Sequence, residues 1–516
     1  MSQSLNRRSL LRNAAAGAAA GSVGMLGAHG RQLAMAQSTP APNTITIPDP
    51  VVELPTEDVT FRWVDSGDVK GFFWRAFFPA YQDAHPNISM QYDGLPWNEI
   101  QKVVPLGIQN GNAPDVFQIP GNIPAGQAAT EGWGAPLDDI IPDFENYKAG
   151  FPEGTFVPGI TDFGGKTYVL PLTSNRRHGT LLLFNRSYME EAGYDPSETR
   201  FTWDQFREAA KKLTEQGGGD YFGLIFEGNQ TGRFSNFVNS MAINAGGNFS
   251  DFVGGAPLDW TTGEFLFTSD EHAAAIELLL ALRDDGSVFP GSMSLNAPQA
   301  RSYMPQGASA MILQGPWNIS QWQIENPDFN FGVAAPPRAS EDITGYFHVG
   351  PGGSNPMWVY ADSGLKEVAA DIFSYMGTLE GQTAWAKIVG VADMALFPEA
   401  QKAMGDNPEA NKALDIFEKT VILAPDARVR NPDIAKVYEN IVPVQPDFGT
   451  TVQGIYTGQI DDVAGAMQSL QDAWNEELER AIAEATEEGA GVSRDDFVFP
   501  NWDPTTDYTQ AQYDEL

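Results

Sequence analysis

The chain has 516 residues, with 67 acidic against 31 basic side chains, a formal charge of -36 at pH 7, 42% hydrophobic residues and no cysteine. Such a charge repels nucleic acid and anionic lipid headgroups, and the missing cysteine excludes disulfides, thiolate metal sites and a cysteine nucleophile. The five histidines, His29, His85, His178, His272 and His348, never pair at metal-ligand spacing, so no metal or other cofactor is expected.

The chain begins with "LNRRSLLRN" (5–13), followed by the weakly apolar run "AAAGAAAGSVGMLG" and by "RQLAMA" (31–36). That run falls short of the about 20 apolar residues a membrane span needs. A charged start, an apolar middle and small residues at Ala34 and Ala36 form an export signal, and the adjacent Arg7 and Arg8 indicate the twin-arginine route. Cleavage after Ala36 would remove four arginines and no acid, taking the charge from -36 to -40. With no cysteine to carry a lipid, the mature chain is expected to stay out of the membrane. Residues 37–58, rich in Pro and Thr, are expected to be a linker.

From residue 59 the pattern becomes regular. "VTFRWV", "ISMQYDG" and "DVFQI" predict strands, separated by the helices "GFFWRAFFPAYQDAH" and "WNEIQKVVPLGIQNG". Strands alternating with helices predict an α/β fold with parallel sheets covered on both faces, whose ligands bind beyond the strands' carboxyl ends. After "GGKTYVLPL" and "GTLLLFN", Thr202 and Gln205 predict a capping box opening a helix through "WDQFREAAKKLTEQ". A second αβ unit runs from "YFGLIFEG" through "DEHAAAIELLLALRDDG" to "ASAMILQGPW". "FNFGVAAPP", "NPMWVYADSG" and "KEVAADIFSYMGTLEGQTAWAK" continue the alternation, and the last third is mainly helical.

Six segments taken in order, "NAPDVFQI", "GGKTYVLPL", "LLLFNRSYMEEAGYDPSETRFTWDQFREAAKKLT", "NAGGNF", "GASAMILQGPW" and "FGVAAPP" with the later Gly352 and Gly353, resemble the family 1 extracellular solute-binding proteins of ABC sugar importers. The resemblance spans about residues 59–400. It implies a two-lobed periplasmic-binding-protein-like fold (type II), each lobe a mainly parallel sheet flanked by helices, with the ligand cleft between lobes that close about a hinge. The crossings would fall near 172–179 and 330–332. Lobe one would hold residues 59–172 plus 332–385, and lobe two 179–330 plus 386–493. The implied partners are a carbohydrate and the permease subunits. A monomer is expected, outside the cytoplasmic membrane.

A sugar site needs hydroxyl-binding side chains around exposed aromatic rings. By resemblance Trp317 stacks on the sugar, although a core tryptophan would also suit its place after a buried strand. Trp97 offers either a second stacking ring or packing at a helix start. Asp65 leaves the first strand at its carboxyl end, where the family has a polar ligand contact and where local capping is the competing role. Gln118 and Asn122 follow the third strand, whereas Asp115 at its beginning is expected to be structural. "SNRRHG" brings Arg176, Arg177 and His178 to the first crossing, and an arginine there could grip hydroxyls or a carboxylate. Arg233, Phe234 and Asn236 precede "NAGG", which faces the ligand in the family. Gly352 and Gly353 match a glycine pair where backbone nears the ligand, or form a plain turn.

The alternative is a secreted glycoside hydrolase with a carboxylate pair. With 67 acids some pair is inevitable, and no Gly-x-Ser-x-Gly elbow or Gly-x-x-x-x-Gly-Lys phosphate loop occurs. Binding without turnover is therefore expected. The ending, residues 494–516, carries Phe497, Phe499, Trp502, Tyr508 and Tyr513, too many large aromatics for a disordered tail. It is expected to form an irregular strap that buries Phe499 and Trp502, with an exposed docking peptide as the alternative.

Overall fold

The computed structural model describes residues 45–516 apart from 120–122, 124 and 406. The expected export signal lies outside the described residues. Two mixed sheets organise the rest. The first contains β1 (Val59–Asp65), β2 (Ile88–Gly94), β3 (Val116–Gln118), β4 (Val169–Thr173) and β10 (Ser354–Val359), in the order β2-β1-β3-β10-β4. The second contains β5 (Leu181–Asn185), β6 (Phe222–Ile225), β7 (Ser309–Gln314) and β8 (Phe331–Ala334), in the order β8-β5-β7-β6. A small parallel pair, β9 (Phe347–Val349) with β11 (Val421–Leu423), lies where the chain passes between them.

The α/β class and the two-lobed arrangement are as expected, but the sheets are less parallel than expected. β1 runs parallel to β2 and β3, whereas β10 runs antiparallel to both β3 and β4. In the second sheet only β7 and β6 are parallel. The antiparallel neighbours are strands that follow an interlobe crossing: β5 enters from the first lobe and β10 returns to it.

Both faces of each sheet are covered, which explains the unbroken apolar run of β5. Leu182 and Phe184 face a core shared with α3 (Trp203–Gly217) and α4 (Thr231–Ile243), while Leu181 and Leu183 face Ile312, Ile319 and Trp322. The capping box at α3 is present, with Thr202 N donating to Gln205 Oε1 at 2.8 Å and Gln205 N to Thr202 Oγ1 at 3.3 Å. In the first lobe, α1 (Lys70–Ala84) lays Phe73, Trp74, Phe77 and Phe78 against Trp63 and Trp385, filling one face of the sheet with rings.

Three expected boundaries move. Gly332–Ala334 pair with Leu182–Phe184, so these residues belong to the second sheet and the chain crosses back only after β8. Ala386, Val389, Ala395 and Ala400 pack in the first lobe's core, so its second segment extends beyond residue 385. The stretch expected as linker is anchored from Ile45 onward, because Ile47, Val52 and Leu54 pack on the first lobe and Val51 N donates to Asp371 Oδ1 at 3.0 Å.

The second lobe is completed by α9 (Phe448–Tyr456) and α10 (Val463–Glu487), counted after α5 (Asp270–Asp284), α6 (Trp317–Glu325), α7 (Lys366–Met376) and α8 (Leu379–Val389). Residues 494–516 lie across this lobe and bury Phe497, Phe499, Trp502 and Tyr508. Their polar groups reach the crossings: Tyr508 N donates to Leu423 O at 2.8 Å, Leu423 N to Asp507 Oδ1 at 2.8 Å, and Arg176 pairs with Asp507 at 2.8 Å.

Three of the described histidines, His178, His272 and His348, are buried. His178 Nε2 lies 2.6 Å from Thr420 Oγ1 beside Phe347 and Phe417, and His272 is held by Ser269 and Asn239. Burial pushes both imidazoles down to about 3, and Arg200 adds to the effect at His178. The unfolded chain therefore binds more protons than the folded one below about pH 6.5, and each histidine withdraws about 1.4 kcal/mol per pH unit as acid is added. Above pH 6.5 neither contributes. Raised carboxyls oppose this slope, so the readout is a difference: His178→Asn is expected to flatten the acid limb of stability between pH 6.5 and 4 by about one proton. Equal slopes for variant and parent would contradict it.

Candidate functional site

A cavity of about 720 Å3 opens between the lobes. The first lobe contributes Ile119 beyond β3, Ile160 and the loop leading into β10. The second contributes Asp251, Phe252, Trp260 and the segment containing Asp426, Arg428 and Tyr438. The crossings supply Asn175 and Arg177 on one side and Gly350 to Gly353 on the other.

Trp317 opens α6 immediately after β7 and lines the cavity half-buried. A Cβ on Gly315 would sit 2.1 Å from its ring, so only glycine lets the indole fold back there. Its Nε1 donates to Gln314 Oε1 at 3.3 Å, and the guanidinium carbons of Arg177 and Arg233 each lie 5.7 Å from the ring centroid. Arg177 is in turn held by Asp393 at 2.7 Å and by Ala392 O at 2.9 Å. Asn355 Nδ2 donates to the same Asp393 at 3.0 Å.

On the opposite wall Arg428 grips Asp426 with two bonds of 2.9 and 2.6 Å, and its guanidinium lies 4.3 Å from the Tyr438 ring centroid. Burial works against the charge of Arg428, but Asp426 and Tyr438 outweigh it and hold the guanidinium above its ordinary value. Arg428 Nη1 also reaches Gly159 O of the first lobe at 3.4 Å. A second link between lobes joins Arg301 to Asp68 at 3.2 Å. The cavity is thus lined by apolar and aromatic side chains with a few fixed polar groups among them, as small-molecule sites commonly are. Among the described residues no cluster of three or more metal-ligating side chains occurs, and no helix is long and apolar enough to cross a membrane.

Residues 66–383 match the family described as bacterial extracellular solute-binding protein. The chain belongs to that family. A binding protein of Brucella abortus strain 2308 is 23% identical over 389 residues, covering 74% of this chain and 84% of its own. Among solved structures, an ABC transporter solute-binding protein from Thermotoga lettingae bound with alpha-D-tagatose has a TM-score of 0.61 and 19% identity, covering 82% of this chain and 100% of its own. The ABC substrate-binding protein from Listeria monocytogenes in complex with cycloalternan has a TM-score of 0.59 and 19% identity, covering 82% and 100%.

In this solute-binding protein Arg177, Trp317, Gly352 and Gly353, four of the residues singled out in the sequence, line the cavity. A Cβ on Gly353, where φ is +67°, would meet Pro171 at 2.8 Å, so glycine is required there by packing. The other expected contacts lie elsewhere. Asp65 is fully buried and its oxygens are used within the loop, accepting from Gly67 N at 2.7 Å, Tyr92 OH at 2.8 Å and Trp63 Nε1 at 3.3 Å. Burial pushes its carboxyl up, against the influence of Lys70 and these bonds. Gln118 is equally buried, with Oε1 accepting from Ser66 N at 2.7 Å.

His178 and Phe234 belong to the interior, Phe234 packing against Phe226 and Tyr456 because α9 covers that face of α4. Asn236 is exposed on α4, and Trp97, 42% exposed at the start of α2 (Trp97–Gln109), is away from the cavity wall. Asn122 lies outside the described residues. Sequence reasoning missed Asp251, Trp260, Asp426, Arg428 and Tyr438. The only available signal was "APDARVR", a pair of arginines in an arginine-poor chain.

Replacing Trp317 with Ala is expected to weaken solute binding by about 2 kcal/mol, roughly thirtyfold. Titration calorimetry checks this. Unchanged affinity with a lower melting temperature would assign the ring to packing alone.

Proposed function

We propose that this solute-binding protein captures a carbohydrate between its lobes outside the cytoplasmic membrane and hands it unchanged to the permease of an ABC importer. The observation that carries this reading is the interlobe cavity, where the half-buried Trp317 offers an aromatic surface to sugar C–H groups, Trp260 and Phe252 close the apolar wall behind, and Asn175, Arg177 and Asp251 offer partners for hydroxyls. Closing on a polar solute gives a state that a permease can distinguish from the open one, because the solute binds both lobes only when they meet. Similarity to the tagatose- and cycloalternan-bound proteins supports carbohydrate as the solute class. Export by the twin-arginine route and action as a monomer complete the proposal.

The experiment is a thermal-shift panel of sugars and polyols, followed by mass spectrometry of the recovered solute. A solute at about 100 times its Kd adds about 2.7 kcal/mol to the folded state. At least one carbohydrate is expected to raise the melting temperature and to be recovered intact. A hydrolysed product would restore the glycoside hydrolase reading, and a flat panel would remove carbohydrate as the solute.

A further inference from the structure

The charged groups on the cavity wall do not cancel. Five formally charged side chains of both signs line it: Arg177, Arg428, Asp251, Asp426 and Glu439. Both arginines are already matched, Arg177 by Asp393 at 2.7 Å and Arg428 by Asp426 at 2.6 Å. His348, also on the wall, is held between Phe249 O and Pro504 O, and burial lowers its pKa, so it brings no positive charge at neutral pH. Asp251 and Glu439 remain, and among the described residues neither has a cation within ion-pair distance.

Asp251 accepts one hydrogen bond, from Asn239 Nδ2 at 2.7 Å on Oδ1, leaving Oδ2 for a solute. The residue is exposed on the cavity wall, so that oxygen is accessible to an entering group. Glu439 is set against the first lobe, where a Cβ on Gly126 would fall 2.4 Å from its Oε1. Burial raises its pKa, Glu488 raises it further, and Lys436 only partly offsets them. When the lobes close on a solute these carboxylates lose water without a counter-charge, and a cation arriving with the solute offsets that cost. An anionic solute would meet two like charges and no free guanidinium. At longer range the chain's charge of -36 draws cations toward the cleft and turns anions away.

We infer that the cavity is built for a carbohydrate bearing a protonated amine and selects against uronates and phosphorylated sugars. This rests on the carbohydrate reading above, and of the two roles open to an arginine at the first crossing it leaves hydroxyl binding and sets aside a carboxylate.

Matched series separate the two claims. Glucosamine and galactosamine oligomers are titrated beside their N-acetylated, neutral forms and beside oligogalacturonates, at pH 7 and 0.15 M salt, by calorimetry. The amine forms are expected to bind roughly tenfold or more tightly than the neutral ones, the size of one charge-assisted contact, with oligogalacturonates weakest. Asp251→Asn is expected to narrow the amine-to-neutral gap by about the same factor. Neutral or anionic sugars binding as well as the amines would overturn the inference while leaving carbohydrate capture intact. Amine selectivity undiminished in both Asp251→Asn and Glu439→Gln would overturn the assignment to these carboxylates. If no member of any series binds, and the wider sugar panel is also flat, both readings fall together.

Discussion

Truncation after Gly491 is expected to cost more stability than any single substitution in the cavity. The deleted segment buries Phe497, Phe499, Trp502 and Tyr508, and each large apolar side chain removed from water stabilises by about 1.5 to 3 kcal/mol. Four such groups match the about 5 to 15 kcal/mol that holds a typical domain folded. The truncation also strips Trp260 of its edge contact with Phe499 and leaves Arg176 and Leu423 N without Asp507. The truncated chain should therefore expose apolar surface, bind a hydrophobic dye and lose the upper part of its melting transition. Phe499→Ala, at about 3 to 5 kcal/mol, is the milder version for the case in which truncation gives no soluble protein. A truncated chain that melts like the parent would contradict the strap, and lost uptake with unchanged stability would instead favour a docking peptide.

Arg428→Met is the second large effect. It leaves Asp426, almost wholly buried, without its bidentate partner, and breaking such a pair costs about 3 to 5 kcal/mol when fully enclosed. Arg428 keeps 20% of its side chain exposed, so the lower end of that range is expected. The same change removes the contact over Tyr438 and the reach to Gly159 O across the cleft. Solute affinity should fall together with the unfolding midpoint in denaturant. In Asp426→Asn/Arg428→Met the two costs should not add, because the second change removes a charge already left unpaired. Additive losses would contradict the coupling.

The elements decided by local pattern were legible from the sequence. β1, β2 and the helices between them follow from periodicity, and the Thr202–Gln205 box marks the start of α3 to the residue. The placement of β8 was not legible, because "FGVA" is equally apolar beside either sheet and only its pairing with Leu182–Asn185 decides the matter. Asp65 was identified as a polar residue at the right strand end, but the turn at Gly67 brings the loop back over it and uses the carboxylate internally. Phe234 was misread because the helix covering it, α9, is more than 200 residues away in the chain. The wall formed by Asp251, Asp426 and Arg428 escaped for the same reason. Its members come from parts of the second lobe that lie far apart in the chain.

The central claim is that a carbohydrate occupies the cavity between the lobes. A crystal structure with the tightest-binding sugar of the panel tests it most directly. The account predicts one intact sugar within the enclosure, in contact with Trp317 and with a carboxylate of Asp251 or Glu439. A sugar bound elsewhere on the surface with the cavity solvent-filled, or a cleaved product within it, would contradict the account.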